Sequence, residues 1–89
     1  MLTIVCRTII GILYTYGVKE KQYILVRFGR KVRMEREKLD VSQEKFAAMA
    51  DVHRTYVGMI ERGEKNITLL NIEKIAEALD ISLKQLMDF

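Results

Sequence analysis

Between Ser42 and Gly63 two short helical patterns are joined by a break of only a few residues, and this constrains the fold more than any other stretch. Ser42 is a good N-cap, with Glu44 in the first turn to complement the helix dipole. Phe46, Ala47 and Ala50 supply the inner face of that first pattern, and Asp51-Val52 makes a tight break. A helix then runs from about Arg54 to Arg62, burying Val57 and Ile60, and Gly63 ends it as the expected residue just past the last turn.

The flanking sequence extends the helical reading in both directions. From about Lys21, Leu25, Phe28, Val32 and Leu39 recur at helical spacing, with Arg27, Arg30, Lys31 and Lys38 largely on the other faces. Asp40 follows where a chain leaving a helix often turns left-handed, a conformation Asp tolerates better than most residues. Thr68 caps a fourth helix with the stripe Leu69, Ile72, Ile75, Ala76 and Leu79. Ser82-Leu83-Lys84-Gln85 is a capping box opening a last short helix that carries Leu86 and Met87. The expectation is an all-α domain of five helices over residues 21–89. The whole chain has 89 residues, which leaves no room for a second domain. A core this small is marginal, so well-optimised helix packing or oligomerisation is expected.

Residues 1–20 form an apolar N-terminal extension of a different kind. The first 18 residues carry a single charge, Arg7, and no acid. A membrane span needs roughly 20 apolar residues, and this stretch is interrupted by Arg7, three threonines and two glycines. A signal peptide wants a basic start and a small-residue cleavage site, yet no alanine precedes Ala47. Both are rejected, and a cytoplasmic protein is expected. Periodicity fits a helical stripe (Leu2, Val5, Cys6, Ile9, Ile10, Leu13) and a strand face (Ile4, Cys6, Ile10, Ile12, Tyr14, Tyr16); β-branched content favours the extended form. Residues 21–89 are expected to fold without the extension, whose apolar side chains are expected to be covered by a twofold partner.

Charge is unevenly spread. Residues 1–39 hold nine basic and three acidic groups, whereas residues 40–89 hold six and nine, so an overall charge of +3 hides a basic face suited to nucleic acid or another anionic surface. The lone thiol of Cys6 cannot form an internal disulfide and suits a reducing compartment. His53 is the single histidine, with no metal-ligand spacing around it, and reads as a helix cap or phosphate neighbour. There is no Ser/His/Asp set, no paired carboxylates in a pocket and no phosphate-cradling loop. No enzyme, metal or cofactor is expected.

Two short helices about a tight break have a known physical use: the first lies across the phosphate backbone and the second enters the major groove. On the second, Arg54, Thr55, Gly58, Met59 and Arg62 project to one face, opposite Val57, Ile60 and Glu61. An outward arginine there can donate two hydrogen bonds to guanine O6 and N7, and an apolar Met59 can touch a thymine methyl. Gly58, lacking a side chain, is expected to let the backbone approach the duplex closely.

The run Phe28-Gly29, Val32-Arg33 with Arg36, Ser42-Gln43-Glu44, Ala47, Val52, Arg54-Thr55-Tyr56-Val57, Ile60-Glu61-Arg62-Gly63, Asn66, Leu69, Ile75-Ala76 and Leu79 resembles the lambda-repressor-like (Cro/Xre-type) helix-turn-helix family. Arg54-Thr55-Tyr56 and the later Glu61-Arg62-Gly63 are similar to controller proteins of restriction–modification systems. The resemblance implies that Gln43 contacts a phosphate and braces the readout helix. It implies that Arg54 and Thr55 read bases, with Met59 one turn further along, and that Lys65 and Asn66 contact the backbone. Tyr56 is expected to combine a core aromatic with a hydroxyl reaching a phosphate, and Arg62 and His53 to border the same surface. Arg36 and Glu61 match a buried ion pair tying the first helix to the third.

His53 stands where a small capping residue is usual, and Asp40 and Asp51 where glycine is common, so both turns are expected to carry some strain. The function expected is a sequence-specific double-stranded-DNA-binding regulator of transcription, a repressor acting as a homodimer on a palindromic operator. The alternative is a protein-interaction module, such as an antitoxin that masks a protein partner, favoured by the apolar extension.

Overall fold

The computed structural model describes residues 23–89, and the readings made of residues 1–20 and of Cys6 lie outside them. Five helices follow in order: α1 (Tyr23–Lys38), α2 (Gln43–Ala50), α3 (Arg54–Glu61), α4 (Leu69–Leu79) and α5 (Leu83–Leu86). No strand occurs among the described residues, and none of their helices is long and apolar enough to cross a membrane.

Each of α2 to α5 starts at a side chain that satisfies an otherwise orphaned backbone N–H. Ser42 accepts from Lys45, Thr68 from Asn71 and Ser82 from Gln85, and Gln85 returns a bond to the Ser82 N–H at 2.9 Å to complete the capping box. His53 also serves, its Nδ1 accepting from the Thr55 N–H at 3.1 Å. The helix ends are equally local. Asp51, Gly63 and Asp80 sit in the left-handed region at φ 56°, 74° and 57°. Past each, the next N–H reaches back to a carbonyl five residues earlier: Val52 to Ala47, Glu64 to Met59 and Ile81 to Ala76. Asp40, after α1, also lies in the left-handed region, at φ 57°.

Phe28, Val32, Phe46, Ala47, Val57, Ile60, Ile75, Ala76, Leu79 and Leu86 form one continuous core, drawn from all five helices. α3 packs against both α1 and α2, and α4 packs against α2, α5 and, less extensively, α1. Gly29 is what lets α1 lie close to α3: an added Cβ would stand 2.8 Å from the Glu61 carbonyl oxygen and collide with that of Ile60. Phe89 closes the far end, edge-on to Phe28 at 6.3 Å between ring centres. Arg27 donates to the Phe89 carbonyl at 2.6 Å and stacks over its ring.

Three apolar assignments are corrected. Leu39 is 42% exposed, because α1 ends at Lys38 and the turn breaks the helical register. Leu69 is 75% exposed; side chains lean toward a helix's N-terminus, so a first-turn residue projects past the helix rather than onto the core. Met87 follows α5 as its C-cap and is exposed.

Candidate nucleic-acid interface

α3 has one locked face and one open face. On the locked side, Glu61 is the hub. Arg36 Nε donates to Glu61 Oε2 at 2.6 Å and Arg36 Nη2 to Glu61 Oε1 at 3.1 Å, a two-pronged pair between α1 and α3. Gln43 Nε2 adds a third bond to Glu61 Oε1 at 3.0 Å, and Arg36 Nη1 reaches the Val41 carbonyl at 2.8 Å. The side chains of Arg36 and Glu61 are only 12% and 3% exposed. The hydrogen bond and charge of Glu61 hold the Arg36 guanidinium in its protonated form even more firmly than usual, against the opposing effect of burial. One carboxylate thus joins three segments: α1, the start of α2 and the end of α3.

The open side of α3 carries exposed Arg54, Thr55 and Arg62, with Met59 half-buried between them. Gly58 does not belong to it. It is buried, and an added Cβ would stand 3.0 Å from an Arg62 guanidinium nitrogen and 3.7 Å from Gln43 Oε1. Helical spacing places Gly58 beside Arg54, but the Arg62 side chain lies over it with Gln43 in van der Waals reach, so the position is covered rather than open. Arg62 is shared: its Nε lies 3.1 Å from Glu64 Oε1, which offsets part of its charge.

The segment from Arg62 to Thr68 continues this surface. Lys65 and Asn66 are exposed in it, and the Lys65 ammonium lies 5.8 Å from the centre of the Tyr56 ring. Tyr56 is half-buried, its ring packed against the core, and Asn71 Nδ2 donates to its hydroxyl at 2.8 Å in a partly buried bond. His53, its Nδ1 occupied by the cap, is exposed at the start of α3 and leaves the N–H of its other ring nitrogen as a donor. Gln43 is half-buried, with one of its two amide protons committed to Glu61.

Asn71 is absent from the residues singled out in the sequence. A signal existed, since Asn71, Ile75 and Leu79 repeat every four residues along the inward side of α4, and an amide in such a row needs a partner. Among the described residues, no three of His, Cys, Asp and Glu gather in a metal-binding arrangement.

Residues 32–86 match the Helix-turn-helix family. The chain belongs to this family of DNA-binding transcription regulators. Control protein C.BamHI of Bacillus amyloliquefaciens is 52% identical over 67 residues, which cover 74% of this chain and 83% of the relative. Among solved structures, the restriction-modification controller protein C.AhdI from Aeromonas hydrophila superposes with a TM-score of 0.68 at 45% identity, covering 70% of this chain and 90% of its own. The hypothetical transcription factor NHTF from Neisseria gives a TM-score of 0.70 at 37% identity over 76% of this chain and 78% of its own. The matched residues include the whole of α2, α3 and α4 and hence the open face described above.

Proposed function

We propose that the chain binds a palindromic operator as a homodimer, with α3 in the major groove, and represses transcription by occupying that site. One observation carries this reading: the inner face of α3 is fastened to α1 and α2 through Glu61, while Arg54, Thr55, Met59 and Arg62 are left facing outward. A rigid helix with an exposed arginine in its first turn is suited to reading guanine, and Met59 to meeting a thymine methyl. Gln43, His53, Tyr56, Lys65 and Asn66 border that face with donors for phosphate oxygens, so that they set position while Arg54 and Thr55 set sequence. Similarity to restriction-modification controller proteins supports an operator within such a gene set, and a cytoplasmic site of action accords with it. Leu69 and Leu70, 75% and 74% exposed on the first turn of α4, support a second copy as the other half of the assembly.

The test is selection of bound sequences from a random duplex pool, followed by sedimentation of the protein with the winning duplex. The expected result is a two-fold-symmetric consensus, with half-sites about one helical turn apart, holding two protomers. Binding should weaken linearly in log–log form as salt rises. A pool that never enriches, or affinity flat in salt, overturns DNA binding; an asymmetric consensus holding one protomer overturns only the dimer.

A further inference from the structure

We propose that Asn71 is a positioning residue for DNA binding: it orients the Tyr56 hydroxyl so that its proton points at a phosphate oxygen. The proposal rests on the reading above that Tyr56 meets the DNA backbone. A phenol hydroxyl carries one proton to give and lone pairs to receive. Asn71 Nδ2 fills the receiving side at 2.8 Å, so the Tyr56 proton is driven away from α4. A phosphate oxygen can only accept, and therefore needs that proton free.

The geometry around the bond favours this use. Asn71 is half-buried and rooted by its own backbone, whose N–H is held by the Thr68 hydroxyl at 3.2 Å in the α4 cap. The Tyr56 ring is packed against the core, and the Lys65 ammonium lies over the ring, 5.8 Å from its centre. Asn66 is exposed in the same loop. A carboxylate at position 71 would accept the Tyr56 proton and turn it inward, and an apolar residue would leave its direction unset. An amide that donates is the side chain that frees it.

The experiment compares the full chain with Asn71→Ala, Tyr56→Phe and the double variant, binding a mixed-sequence duplex and followed across a salt series. A mixed-sequence duplex reads backbone contacts directly. Tyr56→Phe should weaken binding by about tenfold, the loss of one hydrogen bond to a charged group. Asn71→Ala should lose roughly half as much on the logarithmic scale, and the double variant should bind no worse than Tyr56→Phe. The salt slope should stay that of the parent in all three, since no charged contact is removed; a merely structural loosening of the Lys65 loop would lower it. If Asn71→Ala melts below the assay temperature, Asn71→Leu keeps the side-chain volume and carries the same comparison. Losses that add in the double variant, an Asn71→Ala protein that binds like the parent, or a lowered slope overturn the role of Asn71 while leaving the Tyr56 contact standing. A Tyr56→Phe protein that binds like the parent overturns both.

Discussion

Replacing Gly29 by alanine sets two physical effects of opposite sign against each other. Gly29 lies inside α1, where alanine is intrinsically better by roughly 0.8–1 kcal/mol. Propensity alone therefore makes Gly29→Ala stabilising. The packing says otherwise, because the new methyl would stand 2.8 Å from the Glu61 carbonyl oxygen and 3.0 Å from the Glu61 carbonyl carbon, with the Ile60 carbonyl oxygen closer still. These are backbone atoms, which cannot step aside by changing a rotamer, so α1 and α3 must move apart. Overpacking of this kind, backbone shifts included, costs about 1–3 kcal/mol. Arg36 lies seven residues beyond Gly29, two turns along the same face, so the separation also stretches its pair with Glu61. Three backbone atoms within 3.0 Å put the cost in the upper part of that range, so the net expectation is a loss of about 1–2 kcal/mol after the propensity gain is subtracted. For a domain of this size that lowers the melting temperature by roughly 4–16 °C. Thermal unfolding followed by circular dichroism gives the sign directly, with Arg30→Ala, an exposed neighbour, as the control expected to move little. A Gly29→Ala protein that melts at or above the parent temperature would refute the close approach of the two helices.

Other outcomes follow from the same contacts. Glu61→Ala leaves the Arg36 guanidinium buried without its partner and should cost about 3–5 kcal/mol in urea unfolding, whereas a loss below 1 kcal/mol (about a surface pair's worth) would mean that Arg36 reaches water. Asp51→Gly relieves a left-handed aspartate and removes a negative charge from the α2 C-terminus, and should raise stability by about 0.5–1 kcal/mol; an unchanged urea midpoint would show that the turn carries no strain. Arg54→Ala should relax selection at one base pair of each half-site at a cost of about 1–3 kcal/mol, while Lys65→Ala should weaken all duplexes alike and reduce the salt slope by about 1. Uniform losses in both would assign Arg54 to phosphate.

What could be read from the sequence follows the range of the interactions. Caps and turns are decided within a few residues, so Ser42, Thr68, the Ser82–Gln85 box, Asp40 and Gly63 occupy the places their chemistry assigns them. Register fails at helix ends, where Leu39 and Leu69 continue an apolar spacing that the backbone no longer follows. Non-local partners leave no such mark. Arg36 and Glu61 are 25 residues apart, and what related them was likeness to a family, not spacing. Arg27 and the Phe89 carbonyl are 62 apart, and nothing local to either announces the contact. Gly58 shows the same limit: periodicity assigns it a direction on α3, but only the fold shows that the side chains of Gln43 and Arg62 occupy that direction.

The contacts on α3 matter together because of how a helix presents sequence. A rotation by one residue is 100° about the axis, enough to carry Arg54 off the outward face and bring Val57 toward it. Three ties from different directions oppose such a rotation. Glu61 is bound to Arg36 on α1 and to Gln43 on α2, and Tyr56 is bound to Asn71 on α4. The close approach at Gly29 removes the gap that a rolling helix would need. None of the three uses Arg54 or Thr55, and both side chains are exposed. Binding energy at the duplex then need not be spent on setting the angle of α3, so a short outward face with few hydrogen-bonding side chains can still discriminate one base from another.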